Sequence, residues 1–413
     1  MNALSRETFF ELADDYCKRL SSASSFSDIL ELWRSTSFPY SLDETDPYSP
    51  QYRDEVLEVY KRLSGSSYDV ANEWTSNKQS AEDFEIGYPW LSRDFGVIAE
   101  EIAKPIQILR ILQAKGKQDL KVIEFGSGWG NLAIPLAKSG VDIALVDIDQ
   151  GFLERAARIA NREGVSVRAI CGDFLDVARD CQNEYDVAIF QSSFHHCLEF
   201  AELTQVIRDK VLNSNGEILF VNEPISEEIS FPWGLRYDGE SLWAIMCNKW
   251  LELGFHSDFF SEMLIRNGFL PVMLPGIPSL LGEGWKAVKG VNGADFCDLR
   301  LPRHYSDTFH EADGGSKVRF TRETSMLPAT GPEVSAYNIT FVNFSLKQIS
   351  WTLNSGAASQ LFTLSSGERV TISWPAMKTA LEIVSETFVP DQQTGSGDVR
   401  VLGVALERIE LIC

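Results

Sequence analysis

Basic residues are in short supply: 37 Lys and Arg stand against 59 Asp and Glu, a formal net charge of -22. A chain so anionic repels nucleic-acid phosphates and anionic membrane faces unless a local basic patch overrides the field. No such patch is evident. Arg155, Arg158 and Arg162 are interleaved with Glu154 and Glu163 at helical spacing, which reads as a solvated helix face. No nucleic-acid partner is therefore expected. Also lacking is any apolar run near the roughly 20 residues that a membrane-spanning helix requires. Met1 to Arg6 lacks a basic start leading into an apolar core. The expectation is a soluble, cytoplasmic protein without a transmembrane segment. The seven cysteines, at 17, 171, 181, 197, 247, 297 and 413, form no C-x-x-C pair. That pattern suggests neither a disulfide framework nor a zinc cage, and reduced thiols are expected.

What is present is enough chain for more than one core. With 413 residues, 44% of them hydrophobic, two or three compact units fit, and a single small domain does not. Residues 1–113 read as an α-helical N-terminal region: Phe9, Phe10, Leu12, Ala13, Tyr16 and Leu20 recur at helical spacing, as do Val56, Val59, Tyr60 and Leu63. The turn-forming, aromatic stretch from Gly87 to Gly96 precedes another helix, Val97 to Leu112, and is a candidate lid.

Residues 114–290 change character to short apolar runs alternating with amphipathic stretches, the pattern of a parallel sheet with crossover helices. The runs are Val122 to Phe125, Ile143 to Val146, Val165 to Ile170, Val187 to Phe190, Ile218 to Val221 and Phe269 to Leu274. Asn131 to Lys138, Phe152 to Arg162 and Leu203 to Leu212 read as helices between them. Residues 291–334 are irregular and read as a connector. Residues 335–413 hold short strands at regular spacing, Ile339 to Phe344, Gln348 to Leu353, Ser359 to Leu364, Arg369 to Trp374 and Ala380 to Ser385, which predicts a small β-sandwich.

The chemistry-bearing motif is Glu124-Phe-Gly126-Ser-Gly128-Trp-Gly130, a strand that ends in a glycine loop and runs into a helix. Such a loop brings backbone N–H groups and a positive helix end close to a ligand. A dinucleotide fingerprint would need its third glycine at Asn131, so nicotinamide and flavin cofactors are disfavoured. The stretch resembles the first motif, E/D-x-G-x-G-x-G, of class I S-adenosylmethionine methyltransferases. That resemblance extends over about 150 residues and implies an α/β Rossmann-like sheet. It also implies S-adenosyl-L-methionine as cofactor, with Gly126, Gly128 and Gly130 beneath it and Glu124 near its amino group. Asp147, in Ala144-Leu-Val-Asp147, would take both ribose hydroxyls, a task suited to a carboxylate that accepts two hydrogen bonds. Ile148 would lie against the adenine, Asp173 beside its amino group with Phe174 as apolar neighbour, and Gln191 near the methionine moiety.

Methyl transfer to a hydroxyl calls for an in-line nucleophile and a general base. Phe194-His195-His196-Cys197 follows the fourth run, where this fold faces its substrate, so His195 and His196 are the base candidates, with Glu223 a further one. The bland readings are pocket-shaping histidines and a turn-capping glutamate. No metal is expected, because adjacent residues rarely point at one ion and no third ligand has suitable spacing. His256 reads as the residue that opens the helix through Leu264.

Aromatic faces beside charged groups, Trp233, Arg236, Tyr237 and Asp238, suit a polyhydroxylated ring and are the candidate substrate contacts. The segments around Trp233 and Trp250 resemble methyltransferases of bacterial polysaccharide biosynthesis. The ending Asp398-Val-Arg400-Val-Leu402-Gly403 is similar to a closing motif of small β-sandwich modules from the same setting, with Asp398 and Arg400 able to pair in a turn. Trp351 and Trp374 are either a sugar-stacking platform or core. The resemblance implies an O-methyltransferase acting on a sugar hydroxyl of a surface polysaccharide or its precursor. The alternatives are a small-molecule methyltransferase and a non-catalytic carbohydrate-binding scaffold. The partners would be a glycan or small-molecule acceptor and, through the C-terminal domain, a further copy of the chain.

Overall fold

A computed structural model of the chain describes residues 4–24, 26–42, 46–74, 80–116, 119–274, 284–312, 317–332, 334–356, 358–376 and 379–413. Its centre is a seven-stranded sheet: β1 (Lys121–Phe125), β2 (Asp142–Asp147), β3 (Arg168–Cys171), β4 (Tyr185–Gln191), β5 (Leu212–Val221), β6 (Phe269–Leu274) and β7 (Gly284–Lys289). The order is β3-β2-β1-β4-β5-β7-β6, with β7 antiparallel to both neighbours and the first five strands parallel. Six of the seven strands fall on the apolar runs. β3 starts later than Val165 because that residue still closes the preceding helix, donating its N–H to the Ala160 carbonyl. The seventh, β7, escaped the pattern. Of its residues Gly-Trp-Lys-Ala-Val-Lys, only Trp285 and Ala287 are buried side chains, and two lysines, Lys286 and Lys289, interrupt the apolar pattern.

Both faces of the sheet are covered, as a parallel sheet requires. On one, Ile108 and Leu112 of the helix Phe95–Ala114 share a core with Val122, Leu145, Val187 and Leu219. On the other, the N-terminal helices and the stretch following β5 merge into one core with Phe125, Phe190 and Phe220. Tyrosine hydroxyls stitch that layer together: Tyr16 donates to the Gly239 carbonyl, Tyr52 to that of Trp233 and Tyr60 to that of Lys249, at 2.6–2.7 Å.

The helix Pro50–Ser64 positions one wall of the site. Ser49 caps it by accepting from the Tyr52 N–H, Pro50 fits its first turn, and Gly65 ends it at φ +75°. Tyr52, Val56, Val59, Tyr60 and Leu63 bury one stripe, so Arg53, Leu57 and Lys61 are left on the opposite face.

Two antiparallel sheets sharing a core form the C-terminal part. One is built on β9 (Ala336–Val342), β12 (Arg369–Pro375) and β14 (Ala405–Ile412), the other on β8 (Thr324–Leu327), β10 (Ile349–Ser355), β11 (Ala358–Leu364) and β13 (Leu381–Ser385). The stretch read as a connector is built into this unit. Phe296, Leu299, Phe309 and Leu327 lie in its core, and Ala294–Asp295 and Arg319–Phe320 pair with β14. Polar residues between the buried ones hid that packing from a pattern reading. Trp351 and Trp374 are buried, with the Trp374 indole N–H donating to Ser355 Oγ, so they are core and not a platform. Asp398 and Arg400 do pair within their turn, and that contact holds the Asp398 carboxyl near 2, below its ordinary value. No helix among the described residues is long and apolar enough to cross a membrane.

Candidate functional site

The three loop glycines all have positive φ but serve different ends. A Cβ on Gly126 would lie 2.4 Å from Ser193 Cβ, and one on Gly130 would lie 3.0 Å from Ala156 Cβ. Both are held by packing. Around Gly128, φ +44°, a Cβ would meet nothing within 4 Å, so its backbone faces open space. That space is a cavity of about 1010 Å³ bounded by the carboxyl ends of the strands. In open α/β sheets this is where ligands bind.

Asp147, at the end of β2, lines the cavity and is fixed by two amides: Oδ2 accepts from the Gly128 N–H and Oδ1 from the Asp149 N–H, each at 2.8 Å. Burial pushes its carboxyl up to about 6, and those amides limit the rise. Ile148, Asp173 and Phe174 line the same cavity. Asp173 also caps the helix Phe174–Asp180, accepting from the Leu175 N–H at 2.9 Å. One carboxylate thus both caps a helix and lines the cavity.

Glu124 and Gln191 lie beneath the loop rather than on the cavity wall. Gln191 Nε2 donates to Glu101, while Glu124 Oε2 and Gln191 Oε1 are buried acceptors without a partner among the described residues. Burial, followed by the charges of Asp147 and Glu101, holds the Glu124 carboxyl well above its usual range.

The histidines sit on the one-turn helix Phe194–His196 after β4. Glu223, fully buried, accepts from the backbone N–H groups of Ser193, Phe194 and His195 and from His195 Nδ1 at 2.7 Å. Its lone pairs are thus engaged, which makes it an orienting group and places it out of reach of an acceptor. His196 Nδ1 lies 2.7 Å from the Leu251 carbonyl, which can only accept. The ring proton is therefore on Nδ1, and Nε2 keeps its lone pair. Burial, then His195, lowers the His196 pKa to about 4, so its imidazole is neutral at physiological pH. Only His196 of the pair lines the cavity.

Comparison with known proteins fits this geometry. Residues 122–216 match the family model described as a methyltransferase domain. The chain carries an S-adenosylmethionine-dependent methyltransferase domain. A ubiquinone biosynthesis O-methyltransferase of Rickettsia felis is 28% identical over 150 residues, 34% of this chain and 57% of that protein. The tRNA 5-carboxymethoxyuridine methyltransferase of Escherichia coli is 32% identical over 85 residues, 20% of this chain and 33% of that one. The chain therefore spans little more than half the length of the first of these relatives. Among solved structures, the magnesium protoporphyrin IX methyltransferase of Synechocystis with bound S-adenosylmethionine aligns at a TM-score of 0.34 and 15% identity, over 60% of this chain and all of that one.

The donor set of the methyltransferase domain suits its cofactor. An ionised Asp147 on the cavity wall offers acceptors for a ribose diol, while Glu124 and Gln191, with their buried acceptors beneath the loop, do not line the cavity. Gly128 leaves room for close approach.

Other residues are placed differently from their sequence reading. Trp233 and Tyr237 are buried among Tyr52, Phe200, Phe9 and Tyr40. Arg236 is buried against Glu252 at 2.7 Å, and Asp238 caps the helix Gly239–Trp243. None of the four lines the cavity, because the tyrosine-stitched N-terminal layer covers them. Arg155 is not on a solvated face: it donates to the carbonyls of Phe84, Glu85 and Trp129. It thereby ties the helix just before the candidate lid to Trp129 of the glycine loop, and Tyr88 to Trp90 of that segment line a smaller cleft and not the main cavity. His256 does open its helix, accepting from the Asp258 N–H.

The residues that sequence reasoning missed line the rest of the cavity: Arg53, Lys61, Tyr68 and Glu73, beside Trp250 from a segment the sequence did single out. Tyr68 donates to the His196 carbonyl, and Glu73 accepts from the Leu251 N–H. The Trp250 indole N–H is buried without a partner among the described residues. Glu252, also unforeseen, approaches His195 Nε2 at 3.7 Å. The fold thus supplies a third group beside the histidines that sequence spacing did not offer.

Proposed function

We propose that the protein is an O-methyltransferase that methylates a sugar hydroxyl of a bacterial surface polysaccharide or its precursor, with His196 as the proton acceptor. The observation that carries the methyl-transfer reading is the single cavity running from Gly128, Asp147 and Asp173 to His196. When bound, S-adenosylmethionine supplies a methyl group activated by its sulfonium. The chain's own work is then to orient the acceptor and receive its proton. His196 Nε2, its tautomer set by Leu251, receives that proton. His195 and Glu223 are positioning residues that hold the turn bearing His196. The sugar class is supported by Trp250 and Tyr68, which give the acceptor side aromatic faces, and by the carboxylates of Glu73 and Glu199 beside them. The edge strand β11, with Leu361 exposed, is the surface we assign to self-association.

A small-molecule acceptor is the second reading, favoured by the ubiquinone-biosynthesis name of the first relative. Incubation with methyl-labelled S-adenosylmethionine and candidate acceptors separates the two: label entering glycan supports the first, and label confined to small metabolites supports the second. His196→Ala should lose turnover at unchanged S-adenosylhomocysteine affinity. Wild-type turnover in that variant would dismiss the proposed base.

A further inference from the structure

We infer that His195, His196 and Glu252 form a binding site for a dication of the zinc class. Each of the three offers a ligand atom lying within 4.8 Å of the other two. His195 Nε2 and Glu252 Oε2 are 3.7 Å apart. A tetrahedral ion with bonds of about 2.0–2.1 Å spaces its ligands by about 3.4 Å, so closure needs side-chain shifts of an ångström or so. Adjacent residues converge here because the turn Phe194–His196 and two separate acceptors rotate the rings together, to 4.2 Å between centroids.

The surroundings also match what a metal site needs. A metal-bound histidine usually commits its other ring nitrogen to a carboxylate or carbonyl, which fixes the tautomer that leaves a lone pair for the ion. Both rings meet that condition, His195 Nδ1 on Glu223 and His196 Nδ1 on the Leu251 carbonyl. Arg236 Nη2 holds Glu252 Oε2 at 2.7 Å, which fixes that carboxylate in place. Two imidazoles and one carboxylate, with a remaining position open toward the cavity through His196, make a donor set suited to zinc or cobalt over calcium or magnesium.

Occupancy has a consequence for the proposed reaction on which this inference partly rests. An ion takes the same lone pair with which His196 would accept the acceptor's proton. The loaded protein is therefore a poor methyltransferase, and zinc-class cations inhibit.

The test is titration of the full chain with Co²⁺ as a spectroscopic probe, then displacement by Zn²⁺ in calorimetry. One equivalent should bind with the visible absorption of low-coordinate cobalt. Glu252→Gln and His195→Ala should each weaken binding by more than about 100-fold, and Glu223→Gln, which only orients, by about 10–100-fold. S-adenosylhomocysteine affinity of each variant checks that it is folded. Binding absent in the wild type, or unchanged in Glu252→Gln, overturns the site. Metal uptake by a protein whose metal-free form transfers no methyl group would sustain it while dismissing the proposed function, and methyl transfer by the metal-free form without any uptake would do the reverse.

Discussion

Two alanine substitutions, two residues apart in one loop, should fail in different ways. In Gly126→Ala the new methyl lies 2.4 Å from Ser193 Cβ and 3.0 Å from its Oγ. Ser193 has little freedom to retreat, since its Oγ donates to the Phe125 carbonyl and its N–H to Glu223, both at 2.7 Å. Overpacking of this kind costs about 1–3 kcal/mol. A left-handed alanine at φ +73° adds about 1–2 kcal/mol, giving a stability loss of roughly 2–5 kcal/mol. Gly128→Ala carries only the conformational cost, about 1–2 kcal/mol, because its methyl meets nothing within 4 Å. That methyl does project into the space left for the cofactor, and a lost contact worth about 1.4–2.8 kcal/mol would weaken binding 10–100-fold. Urea denaturation and calorimetric titration with S-adenosylhomocysteine read the two effects separately. Wild-type stability in Gly126→Ala, or wild-type affinity in Gly128→Ala, would refute the division of labour within the loop.

Three further outcomes are expected. Because burial raises Asp147 from 3.8 to about 6 in the folded protein, the stability its neutral form confers is complete below about pH 3.8 and lost as pH rises through 6. Ribose hydroxyls favour the ionised form, so S-adenosylhomocysteine should bind more weakly as pH falls from 7 to 5, and a Kd flat over that range would contradict the assignment. Lys104→Met should cost about 3–5 kcal/mol in chemical denaturation, since Lys104, 1% exposed, is bonded to the buried Glu101. Adding Glu101→Gln should recover much of that loss, and no recovery would mean that the ion pair is not its source. Glu223→Ala strips an acceptor from three buried amides and from His195, so at about 1–3 kcal/mol per stranded group it should unfold at markedly lower urea than Glu223→Gln. Equal midpoints for the two variants would argue against that count.

The sheet was legible because its strands are buried on both faces, and continuous burial writes itself as an apolar run such as Val122 to Phe125. β7 was not, since lysines share its strand, and β14 was obscured because Glu and Arg alternate with its core leucines. The strand-end wall of the cavity was legible for a related reason. Gly126, Gly128, Asp147 and Asp173 act from strand ends, so their spacing along the chain reflects their spacing across the sheet.

The acceptor side follows no such rule. Trp233 and Trp250 look alike in sequence, two tryptophans among charged residues, and only the packing of Tyr52 and Phe200 separates the core residue from the cavity residue. The same holds for Arg236, whose partner Glu252 turns it from a candidate substrate contact into the buried support of a carboxylate facing His195. Arg53 and Lys61 reach the cavity because the far stripe of their helix is spent on core, a statement about what lies across from it that no local pattern contains. The cofactor half of such a site is therefore specified by the order of the strands and the acceptor half by the layer laid over them. It follows that exchanging the N-terminal layer should change the acceptor and leave cofactor affinity intact.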